Sequence, residues 1–394
     1  MAKVRKRKWT YKGETREAWV VDYFDAEGVR RQQTFKRKRD ASDRLDEIKS
    51  EQRAGVHTPN SVSITVDEAG KIWIAACKTN NLERATVREY ENHLKLHIKP
   101  YLGDRKLSQL KRPMIKMYVD DLLADGRSVA MARKGLTSLG SLIAEAEARG
   151  LVAQNVARGH RLPSLKRRNR KAEIPSLEEI HVLVTNAKGR WRPYVVTATF
   201  TGLRSSEMRA LQWSDVNFEA KEIHVRRRAD RWNEIGDSKS EAGHRKIPMA
   251  PMVLNTLDAW KKECPKGNLN LVFPNGSGNV ENHGNIFRRG FAPLQVECGM
   301  CTEEPPAKEG DEPIIKAKYG LHALRHAAAS FLIQYAGYQP KKVQTVMGHS
   351  SIQMTFDTYG HLFPSPDDDQ EAMAKIEAQL FDCDKSAAKH NNIM

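Results

Sequence analysis

Residues 346–362 read VMGHSSIQMTFDTYGHL. The stretch sets His349 ten residues before Tyr359, in a chain of 394 residues with 65 lysines and arginines against 49 acids and a net charge of +16. Taken alone, a histidine there reads as a satisfied core residue and a tyrosine in an amphipathic helix as a core aromatic. Three other segments change that reading. TFTGLRSSEMRALQWSDV (199–216) puts Arg204 just after a glycine break, at the head of a helix, with Glu207 three residues on and so on the same face. GDSKSEAGHRKIP (236–248) offers Lys239 in a polar turn ahead of a strand, and LHALRHAAASFL (321–332) places His322 and Arg325 three apart. All four lie in a region of long helices with one evident strand pair, 222–228 with 244–250, which predicts an α-rich domain over 172–394 with a small β-sheet.

Working outward, HRLPSLKRRNRKAEIPS (160–176) holds six basic residues and no acid between Arg161 and Lys171, among them Arg167, Arg168 and Arg170. It reads either as a linker crossing a phosphate backbone or as a solvated linker. Before it, 61–160 reads as helical throughout. Capping boxes are expected at Thr65 with Glu68 and at Thr86 with Glu89, and a further one at Ser176 with Glu179. Pro113 and Ser128 mark two other helix starts, and Val66, Ala69, Ile72, Trp73 and Ala76 form an apolar stripe. Residues 1–39 hold thirteen basic residues against five acids. Segments 7–13, 15–28 and 29–38 are aromatic and β-branched and are separated by Lys12-Gly13 and Glu27-Gly28. They predict three strands, followed by a polar helix from about Asp40 to Arg53. This N-terminal module, 1–58, is either a DNA-binding sheet bearing Lys3, Arg5, Lys6, Arg7 and Lys8 or a solvated basic arm. The fold class expected is thus multidomain and mainly α.

The charge balance points to a polyanion, because basic side chains that neutralise phosphates release condensed counterions. No run of eighteen apolar residues is present, and MAKVRKRKWTYKG at the N-terminus lacks an apolar segment, so no membrane is expected and the cytoplasm is the expected location. Five cysteines (Cys77, Cys264, Cys298, Cys301, Cys383) do not make a disulfide framework. Cys298 and Cys301 form one C-x-x-C without a second pair, inside an acidic stretch that reads as a surface insertion. No metal or other cofactor is expected.

Two arginines, two histidines, a lysine and a tyrosine suit transfer of a phosphodiester. Its negative charge spreads over non-bridging oxygens and, without a metal, must be met by fixed cations. Arginine's planar fork donates two parallel hydrogen bonds to phosphate, so Arg204 and Arg325 would clamp one phosphate, with His322 and His349 adding hydrogen bonds or moving protons. With a pKa of about 10, roughly one tyrosine in a thousand is ionised at pH 7. Nearby cations favour the phenolate. Attack by tyrosine stores the phosphodiester energy in a covalent link, so a strand is rejoined without ATP. Lys239 would protonate the departing oxygen.

TGLR-SSE, a lysine before HRKIP, H-x-L-R-H and MGHSSIQMTFDTYGH, in this order and spacing over about residues 175–365, strongly resemble the tyrosine recombinases, specifically the integrases of temperate phages and integrative elements. The resemblance implies a fold like that of tyrosine recombinases and type IB topoisomerases. It makes 61–160 a core-site DNA-binding domain, 1–58 an arm-site DNA-binding domain and 172–394 the catalytic domain with a C-terminal helix. It places Arg204, Lys239, His322, Arg325 and His349 around the scissile phosphate and Tyr359 as a nucleophile that forms a 3′-phosphotyrosyl link and frees a 5′-hydroxyl. Lys239 is then the general acid, with Lys246 as the alternative lysine, and Glu207 supports the fold around Arg204. Ala323 and Ala327 stand where the family carries an acid and a threonine. The partners implied are double-stranded DNA at core and arm sites, a homotetramer on DNA, a directionality factor and a host DNA-bending protein. Residues 367–382 are expected to form a helix with Ala372, Met373, Ile376, Leu380 and Phe381 on its apolar side, docking either on its own domain or on a neighbouring subunit. Two other functions fit the same residues: a chromosome-dimer-resolving recombinase, against which residues 1–55 argue, and a DNA-binding regulator of the same fold that does not cleave.

Overall fold

The computed structural model describes residues 2–12, 14–25, 27–53, 57–59, 61–160, 162, 173–238, 243–306, 313–363, 370 and 373–378. Lys239, Arg167, Arg168, Arg170, Ala372, Leu380 and Phe381 lie outside them. The chain divides into two compact units, Met1–Arg168 and Asn169–Met394.

In the first unit, β1 (Lys3–Tyr11), β2 (Glu14–Phe24) and β3 (Arg30–Phe35) form an antiparallel sheet in the order β1-β2-β3, with α1 (Lys38–Arg53) against one face. Val21 and Tyr23 of β2 pack there on Ala41, Leu45 and Ile48. Strand alternation divides the basic residues of β1. Val4 pairs with Val21 and faces the helix, so Lys3, Arg5 and Arg7 lie on the opposite face, while Lys6 and Lys8 share the Val4 side and pair with Glu17.

Five helices follow: α2 (Val66–Thr79), α3 (Arg84–His93), which runs through a wide turn at Leu94–Ile98 into α4 (Lys99–Leu102), α5 (Arg112–Ala124) and α6 (Val129–Ala148). The boxes at Thr65 with Glu68 and at Ser176 with Glu179 form as expected, and Ser128 caps α6. The expected box at Thr86 does not. Helix α3 starts three residues earlier with Glu83 as its cap, so the Thr86 amide already bonds the Glu83 carbonyl. The apolar stripes converge on one core around Trp73, Ile98, Ile115, Leu122, Leu139 and Leu142. A buried leucine of this kind contributes about 2 kcal/mol, so the stripes suffice to hold the helices together.

The second unit contains α7 (Leu177–Asn186), α8 (Trp191–Thr201), α9 (Ser205–Ala210), β4 (Val216–Asn217), β5 (Glu222–Val225), β6 (Arg227–Ala229), β7 (Ile235–Asp237), β8 (Arg245–Pro248) and α10 (Pro251–Glu263). Beyond these lie α11 (His283–Asn285), α12 (Ala292–Glu297), β9 (Cys301–Glu304), β10 (Ile314–Ala317), α13 (His322–Gln334), α14 (Pro340–Met347) and α15 (Ile352–Tyr359). The expected strand pair is β5 with β8, extended by β4. Between its members the β6–β7 hairpin adds a second small sheet that the sequence pattern does not announce, because its strands are three residues long. The stretch with Cys298 and Cys301 carries the exposed hairpin β9–β10. Helices α8, α10 and α13 pack around Tyr194, Val196, Leu257, Leu324 and Ala327, which sets the start of α13 and the end of α8 side by side. Among the described residues no helix is long and apolar enough to cross a membrane.

Candidate active site

Helix α14 ends at Gly348, which takes the left-handed conformation (φ +64°) and leaves the last carbonyls of the helix without intrahelical partners. Three arginines fill them. Arg245 Nε donates to the Val346 carbonyl (2.7 Å), Arg325 Nη2 to Met347 (2.5 Å) and Arg204 Nη2 to Gly348 (2.6 Å). The partial negative charge at a helix C-terminus favours cations placed there. The three come from a strand, a helix interior and a helix cap, so only the tertiary fold brings them to one place.

Each arginine is held from a second side. Gly202, also left-handed (φ +63°), ends α8 and turns its carbonyl to Arg325 Nη1 (2.5 Å). Arg204 caps α9. Its amide donates to Glu207 Oε2 (2.8 Å) and its Nη1 to Oε1 (2.8 Å), so the sequence-predicted Arg-Glu pair forms. Arg245 forks onto the same carboxylate, Nη1 to Oε1 at 3.1 Å and Nη2 to Oε2 at 2.8 Å. Burial alone would raise the Glu207 carboxyl, but Arg245, with Arg204, brings it down to about 2. Arg325 is 3% exposed, and burial, together with Arg204, brings it down to about 9. The Arg204 side chain keeps 35% of its surface open to solvent. Three guanidiniums thus face one carboxylate, a surplus of positive charge that an anion would neutralise.

The two sequence-predicted histidines flank this cluster. His322 opens α13 and has an exposed edge, yet the atoms crowded around it and the neighbouring His326, Arg325 and Arg204 hold its pKa down to about 4. His349 follows Gly348, is buried, and sets Nδ1 2.9 Å from the Thr355 hydroxyl. Burial and the three arginines hold it down to about 4 as well. Both rings are neutral at pH 7.

Tyr359, the last residue of α15, stacks on His349 with ring centroids 6.2 Å apart and planes 12° apart. It is 1% exposed, and burial raises its pKa to about 12 even though Arg325 pulls the other way. The expectation that gathered cations favour the phenolate is therefore outweighed here by desolvation. The phenol oxygen lies 2.7 Å from His326 Nδ1.

The structure brings Arg204, Glu207, His322, Arg325, His349 and Tyr359 together. Lys246 pairs with Glu222 on the exposed face of β8, opposite to Arg245, and so points away from the cluster. Arg245 and His326 were missed. Strand alternation is a signal for Arg245, since it shares the inward side with Ile247, and the second histidine of H-x-L-R-H one turn after His322 is a signal for His326. The contact of Ser205 with His283 (Oγ to Nδ1, 2.8 Å), beside Arg204, has no signal at all in the linear order. Among the described residues no group of three or more His, Cys, Asp or Glu is placed to hold a metal ion.

Residues 176–365 match the model of the phage integrase family, and residues 65–123 that of the phage integrase N-terminal SAM-like domain, together more than half of the chain. A tyrosine recombinase XerC-like protein of Caldanaerobacter subterraneus subsp. tengcongensis is 24% identical over 85% of this chain and 89% of its own length. The ICEBs1 integrase of Bacillus subtilis is 23% identical over 77% of this chain and 81% of its own. Among solved structures, residues 82–397 of the Tn1549 transposon integrase in complex with a circular intermediate DNA superpose with a TM-score of 0.63 at 21% identity, covering 80% of this chain and all of that one. That likeness shows the fold.

Proposed function

Because this chain belongs to the phage integrase family of tyrosine recombinases, enzymes that cleave and rejoin DNA strands, we propose that it integrates and excises a mobile element through a 3′-phosphotyrosyl intermediate on Tyr359. The observation that carries the reading is the triple-arginine cluster at the end of α14, with a surplus of two positive charges and Tyr359 stacked against His349 beside it. A DNA phosphate is the anion that suits it. Arg204, the partly open member, meets the non-bridging oxygens first. Arg325 holds the phosphate from the buried side, and neutral His322 and His349 donate hydrogen bonds without adding charge. Glu207 and Arg245 keep Arg204 in place and are positioning residues. Lys239 protonates the departing 5′ oxygen, a task for which the outward-pointing Lys246 is badly placed.

The phenol is buried, so attack requires α15 to shift toward the phosphate. Residues 172–394 act as the catalytic domain, 61–160 grip the core site and 1–58 bind the arm site. Lys3, Arg5 and Arg7, on the open face of the N-terminal sheet, meet phosphates there, with Lys6 and Lys8 beside the helix, and Arg167, Arg168 and Arg170 contact the DNA backbone. The working form is a homotetramer on two duplexes, a ring whose head-to-tail contacts close, aided by a directionality factor and a host DNA-bending protein. The N-terminal basic module favours integration over chromosome-dimer resolution.

The test is incubation with a nicked duplex of the element's own attachment site, in EDTA, followed by denaturing electrophoresis. A covalent protein–DNA adduct is expected with the wild type and none with Tyr359→Phe, which should still shift the same duplex in a native gel. An adduct surviving Tyr359→Phe, or one abolished by chelation, sinks the reading.

A further inference from the structure

We propose that His326 is the base that takes the phenolic proton of Tyr359 during strand cleavage and the acid that returns it during rejoining, an inference that rests on Tyr359 being the nucleophile. A buried, protonated phenol is a poor nucleophile until something accepts its proton, and the cluster around Arg204 holds cations and hydrogen-bond donors. His326 Nδ1 stands 2.7 Å from the phenol oxygen, within the range a general base needs. Among the described residues it is the one histidine in hydrogen-bond contact with that oxygen. His349 stacks on the ring of Tyr359 but commits its Nδ1 to Thr355, and His322 meets His326 edge-on with centroids 4.7 Å apart.

Among the described residues, the groups that face His326 are Arg325 on its own helix, His322 one turn earlier and Tyr359 on α15. None is a carboxylate. Burial, with Arg325, holds the imidazole below its ordinary pKa and therefore neutral at pH 7. The phenol, protonated, donates. Nδ1 thus accepts, and the ring proton sits on Nε2.

As the Tyr359 oxygen forms its bond to phosphorus, its O–H bond breaks and the proton passes to His326 Nδ1, leaving an imidazolium. On the opposite side the P–O5′ bond breaks, and the departing oxygen takes a proton from the general acid, assigned above to Lys239. Rejoining reverses both transfers, so the imidazolium protonates the departing phenolate. Arg325 repels the imidazolium, and a bound phosphate offsets that repulsion. Proton transfer is therefore coupled to the arrival of DNA, which keeps Tyr359 inert in its absence.

The experiment uses the full chain and a nicked attachment-site duplex with sulfur in place of the bridging 5′ oxygen, so that departure needs no acid and the pH profile reports the nucleophile. His326→Asn keeps an acceptor near the phenol but cannot take its proton. At pH 7 its single-turnover adduct formation should be slower by roughly 10²–10⁴-fold, rising about tenfold per pH unit as hydroxide does the work instead. DNA affinity should be unchanged. His326→Ala should be slow too and should regain rate with added imidazole, a readout that does not depend on the asparagine variant folding. Cleavage by His326→Asn at the wild-type rate, slow cleavage with a wild-type pH profile, a His326→Ala variant faster than wild type, or no rescue by imidazole would each overturn the proposal. Tyr359→Phe runs alongside. An adduct there removes the nucleophile assignment itself, whereas its absence together with a normal His326→Asn removes this inference alone.

Discussion

Replacing Glu207 by glutamine should destabilise the second unit through a single mechanism. The carboxylate is 5% exposed and takes forked hydrogen bonds from Arg245 and a further pair from Arg204. Its folded pKa of about 2 lies below the ordinary 4.5. At 1.36 kcal/mol per unit the gap corresponds to about 3 kcal/mol, in line with the roughly 3–5 kcal/mol lost when one partner of a buried ion pair is removed. Glutamine also presents an amide N–H toward a guanidinium, leaving the buried Arg245 without its counter-charge. For domains of this size 1 kcal/mol shifts the melting temperature by roughly 2–4 °C, so calorimetry at pH 7 should show a drop of about 6–12 °C. The pH dependence carries the sign. A carboxyl depressed on folding contributes its stability above the unfolded pKa and loses it as protons bind, so the gap between wild type and variant should hold constant above about pH 5.5 and narrow as pH falls from 4.5 toward 2. A drop under about 1 °C, or a gap that does not close in acid, would refute the placement of Glu207 as the buried counter-ion of Arg245.

Two further outcomes are expected. Gly202→Ala should cost about 1–3 kcal/mol and impair cleavage, because the left-handed backbone disfavours a side chain and the new methyl would lie 2.8 Å from Met347 Sδ and 3.1 Å from Ala328 Cβ, displacing the carbonyl that holds Arg325. A thermal melt and adduct assay at wild-type values would contradict this. Lys239→Ala should slow cleavage of ordinary DNA by about 10²-fold or more and recover on the sulfur-substituted duplex, whereas Lys246→Ala, which removes an exposed pair with Glu222, should change little. The reverse ranking would move the acid to Lys246.

The elements of the site were legible where local chemistry dictates them. Ser176 with Glu179 starts a helix because the side chains satisfy free amides, and Gly202 breaks one because the turn needs a positive φ. Arg204 with Glu207 pair because three residues make nearly one turn. The failures have equally local causes. Thr86 looked like a cap because its spacing to Glu89 is right, but Glu83 starts the helix first. Arg245 stands apart from its partner, Glu207, by 38 positions, so no local pattern pairs them.

Periodicity and caps determined by themselves that this chain is mainly helical, with a basic N-terminal sheet, and motif order singled out Arg204, His322, Arg325, His349 and Tyr359 as a candidate set. These are properties of neighbours within a turn or a strand, and they survive in any context. Tertiary structure alone decided that three arginines share the last carbonyls of α14, that Glu207 answers Arg245, and that the phenol of Tyr359 is buried against His326. Such contacts depend on where α8, α13 and α14 come to rest when their apolar faces pack, and the desolvation that keeps His322 and His349 neutral and Tyr359 protonated exists only once they have done so.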